Sequence, residues 1–341
     1  MYKKENNMKI FILFILLCLS MLQADTILLE NKKPIQNVVI TRETFTQIRY
    51  YYEKIGPNSP QTIDRLKTAV IGIDRSEIPM EYQVAEQYYE NGSLQEALKS
   101  YQREAQQRKW THQHCLYKIG LCYLEMGNYR EANKEFNKLK KSIPDSVYKA
   151  DIEMNLGICA MNMNRSAQAV RYFNNAIKLY NTIHSWNQVE EASFQLAQSY
   201  ELSKNYNEAI KIYTNISKNK KLDKAFLQKI VLKLGSCYIK NNNFQDAKKI
   251  FIQLLQNQTG EDKETLSVIY VNLGNCYLQE EKIEDALLCF LRVITIYTPT
   301  QIDGKEAYSQ AIKCFNLLKN ENPLYGRRAI ELRLEMEQKY P

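Results

Sequence analysis

At 341 residues and 45% hydrophobic content, the chain is long enough for about two domains of roughly 100–200 residues each and too apolar to be a disordered tail. Eleven glycines and eight prolines are few for this length, which excludes a loop-rich β protein and favours long helices. The net charge of +8 is the difference between 46 basic and 38 acidic residues; without a long basic run or a stacking motif, this mixed surface gives no ground for assigning nucleic acid as a partner.

The first 24 residues differ from the rest. Lys3, Lys4 and Lys9 lead into an apolar run from Ile10 to Leu22, and Ala24 closes the segment before Asp25. That is the layout of a secretory signal peptide. The run of 13 residues is shorter than the roughly 20 needed to cross a bilayer, so no stable membrane span is expected. Met8-Lys9 followed by the same run is itself a compact signal, which leaves Met1 and Met8 both open as the start. Leu17 stands before Cys18 where lipidation requires a small residue, which argues against a lipid anchor.

Residues 25–77 read as a small β-rich domain. Thr26–Glu30, Ile35–Thr41, Phe45–Tyr52 and Ala69–Ile73 are rich in Ile, Val, Thr and Tyr, and Asn31 to Pro34 supplies a turn between the first two. So small a sheet buries little alone and is expected to pack on the helices that follow, capping the first of them. The sequences Asp25-Thr26-Ile27-Leu28-Leu29, Ile35 to Ile40 and Asp74-Arg75-Ser76-Glu77-Ile78 resemble the opening of bacterial envelope proteins that set an SH3-like sheet before helical repeats. The resemblance implies a periplasmic or secreted location and assigns no activity.

From residue 78 onward one grammar recurs six times. Ala85, Gly120, Gly157, Ala197, Gly235 and Gly274 precede Ala97, Ala132, Ala169, Ala209, Ala247 and Ala286 by 12 positions each, and Tyr101, Phe136, Phe173, Tyr213, Phe251 and Phe290 lie 4 positions further on. Fixed spacing of small and aromatic residues at a period near 35–40 is the mark of stacked helical hairpins, in which small residues let the helices approach and the aromatic fills the gap. Asn91-Gly92, Gly127-Asn128, Asn205 and Asn241 to Asn243 suit the turns within each hairpin. The pattern small-x-x-Tyr then Ala-x-x-x-aromatic, with Pro144 and Pro299 closing two units, resembles the tetratricopeptide repeat. It implies a mainly α fold, an α-α superhelix of six to seven hairpins over 78–341. A degenerate last unit is expected at Glu306–Tyr340, with Ala311 and Ala329 as its small residues, a loop through Asn320–Gly326, and a polar end face from Arg327, Arg328, Glu331, Arg333, Glu335 and Glu337.

The chemistry expected of an enzyme is absent: there is no phosphate loop, no nucleophile elbow and no His-Glu-x-x-His in a chain with three histidines. His112-Gln113-His114-Cys115 is a cluster without an evident fourth metal ligand. Cys122, Cys159, Cys237 and Cys276 stand two places after their glycines, the position of a repeated packing residue rather than of disulfide partners. No metal, cofactor or catalytic residue is therefore assigned.

The repeat resemblance implies a non-catalytic interaction scaffold whose first helices present a binding face. The inward positions hold Tyr82, Tyr89, Tyr117, Leu121, Leu124, Met154, Ile158, Met161 and Phe194, an apolar stripe. Further along stand Lys229, Lys233 and Lys240 at helical spacing, with Asn272 and Asn275 in the next unit. A protein or peptide segment laid along this face would set its apolar side chains on the stripe and its acidic groups toward the lysines. Two alternatives stay open: a self-assembling envelope component, and an enzyme accessory acting through the β-rich domain.

Overall fold

The structure, a computed structural model, describes residues 24–30, 32–68, 70–107, 109–256, 263–297, 301–320 and 322–340; the signal expected over 1–24 lies, save for Ala24, outside them. Five strands, β1 (Asp25–Leu29), β2 (Ile35–Glu43), β3 (Gln47–Tyr52), β4 (Gln61–Asp64) and β5 (Val70–Asp74), precede fourteen helices among the described residues. These are α1 (Met80–Glu90), α2 (Leu94–Ala105), α3 (His112–Glu125), α4 (Tyr129–Ser142), α5 (Lys149–Asn162), α6 (Ser166–Thr182) and α7 (Trp186–Leu202). They continue as α8 (Tyr206–Ile216), α9 (Lys224–Lys240), α10 (Phe244–Gln256), α11 (Lys263–Gln279), α12 (Ile283–Thr295), α13 (Gln301–Leu318) and α14 (Pro323–Lys339). The fold is a helical solenoid behind a small antiparallel sheet, in two compact units of residues 1–195 and 196–341.

The sheet runs in the order β4-β3-β2-β1-β5, every pairing antiparallel. Ile27, Val38, Ile48, Tyr50 and Ile63 form its core. Two expectations change here. The edge strand β4, of sequence Gln-Thr-Ile-Asp, has too little β propensity to be read locally and owes its place to pairing with β3. Phe45, expected inside a strand, instead occupies the turn between β2 and β3 and is 5% exposed in a buried cluster with Ala150, Ala176, Tyr180 and Ala192.

The β2–β3 turn reaches the beginnings of α3 and α5. Phe45 N–H donates to the Asp145 carbonyl at 3.0 Å. The Gln113 side chain donates to the Glu43 carbonyl at 3.3 Å and accepts from Ser146 Oγ at 3.1 Å and Val147 N–H at 3.3 Å. Beside this turn the Arg75 guanidinium, 9% exposed, bonds Asp25 at 3.2 Å and Glu43 at 2.9 Å and lies 4.7 Å from the Trp110 ring centre. Asp25 in turn accepts from Ser76 N–H and Oγ. Arg65 joins Glu43 from the other side at 3.3 Å. Buried ions are costly unless paired and hydrogen-bonded, and here each carboxylate has more than one donor.

The repeat spacing has a sharper steric cause than close approach of two small residues. A Cβ built on Gly157, Gly235 or Gly274 would come within 2.5–2.6 Å of a ring atom of Phe173, Phe251 or Phe290, and Gly120 stands in the same relation to Phe136. Each glycine is the seat of the aromatic ring 16 positions later, not of the second alanine. Where the small residue is alanine the aromatic is tyrosine: Tyr101 Oη donates to Glu86 at 2.6 Å and Tyr213 Oη to Glu201 at 2.6 Å. The hydroxyl anchors these rings through a carboxylate that the glycine-bearing helices lack at the same positions. All four repeat cysteines are buried, and burial pushes each thiol up to about 12, so they are packing residues and not nucleophiles at neutral pH.

Seven positions after each small residue the backbone turns left-handed: Gly92 and Gly127, then Asn164, Lys204, Asn242 and Glu281, all with φ between 58° and 75°. This closes the first helix of each hairpin with the residue types that tolerate the conformation in four cases and against preference at Lys204 and Glu281.

At the C-terminal end the hairpin is tighter than expected. The link between α13 and α14 is only 319–322, with Gly326 inside α14; the Asn322 side chain caps α14 by accepting from Leu324 N–H at 3.0 Å, and Pro323 begins the helix. The end face is not purely polar either, since Ile330 and Leu334 are 64% and 55% exposed.

Candidate functional site

In the N-terminal unit the inward stripe is mostly occupied by its own aromatic packing. Tyr82 and Tyr89 both meet Tyr101 edge-on, at 5.9 and 6.4 Å between ring centres. Tyr82 also contacts Trp110, which meets His114, which meets Tyr148. Tyr148 stacks on Tyr117 at 4.0 Å, and Tyr117 accepts from Asn155 Nδ2 at 3.1 Å. Tyr89 is hydrogen-bonded to Glu125 and carries the Lys118 ammonium 4.5 Å above its ring. Burial pushes Glu86 up, but hydrogen bonds from Lys118 and Tyr101 outweigh it and hold its carboxyl below the usual range. These rings are therefore half-buried structure, each fixed by a neighbour.

The remaining stripe residues divide. Leu121 and Leu124 pack against the core of the first hairpins, and Met154 against the cluster that receives Phe45. Ile158 and Met161 are half-buried. Phe194 is 0% exposed and offers no surface, which removes it from the candidate face: a large ring at this register is drawn into the packing and closed over.

At the sheet–helix junction lies a cavity of about 370 Å³ lined in part by Glu43, Arg65, Arg75, Trp110 and His114. Its charges answer one another, and it reads as the joint between sheet and helices. His114 Nδ1 is 2.7 Å from Tyr148 Oη, and burial holds this imidazole below the usual histidine range. His112 turns away to the Ala105 carbonyl at 2.7 Å. No group of three or more His, Cys, Asp or Glu among the described residues is placed to hold a metal.

The C-terminal unit does bring expected residues together. Lys229, Lys233 and Asn272 line one cleft of about 460 Å³ between α9 and α11, with Leu232 and Val268 in its wall. Asn272 Nδ2 donates to the Val268 carbonyl at 2.8 Å, leaving its amide oxygen as an acceptor. The cleft thus combines aliphatic surface, two ammonium groups and the side-chain amides of Gln228 and Asn272. Lys240 and Asn275 do not join it: Lys240 pairs with Glu201 at 3.6 Å beside the Tyr206 ring, and Asn275 donates to Glu306 at 2.9 Å. Leu232 and Val268 were not singled out in the sequence. The signal was present, because Leu232 stands three places before Gly235, the register that selects Tyr82, Tyr117 and Met154.

Comparison with known proteins identifies this architecture. Models of the tetratricopeptide repeat match residues 228–298, and 114–146 with 191–219. The chain is similar to the C-terminal part of a TPR repeat-containing protein from Cytophaga hutchinsonii, at 15% identity and a TM-score of 0.58, over 75% of this chain and 95% of that one. It is also similar to the apo form of the quorum sensor NprR from B. thuringiensis, at 15% identity and a TM-score of 0.50, over 74% of this chain and 86% of that one. At such identities the likeness is one of fold. No curated protein sequence matches the chain significantly.

Proposed function

We propose, for a chain that carries tetratricopeptide repeats behind a small antiparallel sheet, that it is a non-catalytic scaffold holding a peptide segment of a partner protein in the cleft between α9 and α11. The observation that carries this reading is the chemistry of that cleft. Leu232 and Val268 offer apolar contact, while Lys229, Lys233 and Asn272 offer two cations and an acceptor within the same wall. A segment that sets an aliphatic or aromatic side chain beside one or two carboxylates matches this combination of apolar wall and positive charge. Selection of a displayed random-peptide library on the purified mature protein should enrich ligands with an apolar residue flanked by Asp or Glu. Enrichment of basic or uncharged sequences, or no enrichment, contradicts the proposal.

The proposed location is outside the cytoplasm, on the strength of the charged and apolar layout of residues 1–24. No helix among the described residues is long and apolar enough to cross a membrane. N-terminal sequencing of the protein from its native cells should find a chain beginning near Asp25; one beginning at Met1 or Met8 overturns the assignment.

A further inference from the structure

Within the C-terminal unit the outward face of α14 has the make-up of a surface that another helix covers. On α12 the two positions one and five residues after the small Ala286 are Leu287, 7% exposed, and Leu291, half-buried. Both pack in the cluster that contains Ala307, Tyr308 and Ala311 of the following helix. On α14 the positions one and five residues after the buried Ala329 are Ile330 and Leu334, 64% and 55% exposed. They are one helical turn apart on one side, opposite the buried Leu332. Gly326, one turn before Ile330, has nothing within 4 Å of where a Cβ would stand, so the stripe is open at that end too.

The charges around this stripe select its partner. Arg328 is occupied on the helix itself, with Glu331 at 2.9 Å and Glu335 at 3.3 Å. Arg327, Arg333 and Glu337 are exposed and have no ion pair among the described residues. An antiparallel pairing that sets Ile330 against the Leu334 of a second α14 brings Arg327 level with Glu337, a pair that occurs twice by symmetry. A parallel pairing would set Arg327 against Arg327 and Glu337 against Glu337, like charge on like charge.

We propose that α14 is a self-association surface, pairing antiparallel with α14 of a second copy through Ile330 and Leu334 and fixed in direction by Arg327 and Glu337. The contact is independent of the α9–α11 cleft. A 17-residue helix is about 25 Å long, and two such faces bury less than the roughly 1,200 Å² of a standard stable interface. Association is accordingly weak, and local concentration governs it.

Light scattering and sedimentation of the full mature chain over about a hundredfold range of concentration test this directly. The wild type should pass from monomer to dimer and stop there. Ile330→Glu with Leu334→Glu should raise the dissociation constant at least about tenfold, with an unchanged helical circular-dichroism signal because both side chains are more than half exposed. Arg327→Glu and Glu337→Arg should each weaken the dimer, and the two together should restore it, a rescue that needs no assumption about the apolar pair. A monomer at every concentration, an open-ended series of higher species, a dimer that survives the apolar double substitution, or a double charge reversal without rescue each overturns the proposal.

Discussion

Replacing Arg75 by alanine should lower the stability of the N-terminal unit by about 3–5 kcal/mol, because it leaves two buried carboxylates without their shared cation. Asp25 and Glu43 are 13% and 10% exposed at the side chain, and Arg75 bonds both. Asp25 keeps two bonds from Ser76 and one from Ile40 N–H at 3.4 Å, while Glu43 keeps the Arg65 ion pair, with His114 Nε2 3.9 Å away. The loss should therefore fall most heavily on Glu43 and on the turn that carries Phe45. Trp110, which lies against the Arg75 guanidinium, reports the transition by fluorescence in a denaturant titration. Adding Glu43→Gln to Arg75→Ala removes the stranded charge and should recover part of the loss, a coupling that a general packing defect would not show. A shift below about 1 kcal/mol in the single variant would mean that the pair is solvated and that Phe45 alone holds the joint.

Gly157→Ala should cost about 2–3 kcal/mol, although alanine is the better helix former. The added Cβ would stand 2.6 Å from Phe173 Cε1 and 2.8 Å from two further ring atoms. Phe173 is 0% exposed, so its ring has no free space to enter and the two helices must separate. The informative control is Ala85→Gly, where the Tyr101 ring is held by Glu86; it should lose only the helix-propensity difference of about 1 kcal/mol. Equal effects at the two positions would show that the pairing of glycine with phenylalanine and alanine with tyrosine has no steric basis.

These two variants also mark what the residues disclose by themselves. The repeat was legible because packing fixes its spacing: four units seat a phenylalanine ring on a glycine 16 positions earlier, and the other two match an alanine with a tyrosine at the same distance, so spacing alone exposes the hairpins. The joint was not. Phe45 has the composition of a strand residue, and only the pocket formed by Ala150, Ala176, Tyr180 and Ala192, more than a hundred residues away, puts it in a turn. The same holds for β4, which pairing with β3 supports where its own propensity does not. The candidate face was half legible, because register decides which way a side chain sets out and neighbours decide whether it stays exposed. Phe194 and Leu232 occupy equivalent positions, yet the first is enclosed and the second lines a cleft. Lys233 and Lys240 lie on one helix, and the nearby Glu201 carboxylate draws off only the second. The end face of α14 was half legible for a related reason: its charged residues are at the surface as their composition suggests, but Ile330 and Leu334 lie exposed together among them.

The central claim, that the α9–α11 cleft is where this scaffold holds its partner, is tested most directly by titrating a selected acidic peptide into the wild type and into Lys229→Glu/Lys233→Glu. The account predicts that reversing these two charges weakens binding by at least about tenfold, since it replaces two attractions with two repulsions in one cleft, where Lys229 is exposed and Lys233 half-buried. It also predicts unchanged binding in Arg171→Glu, an exposed charge on α6, and unchanged thermal unfolding in both variants. Binding that survives the double reversal, or that Arg171→Glu weakens equally, would contradict it.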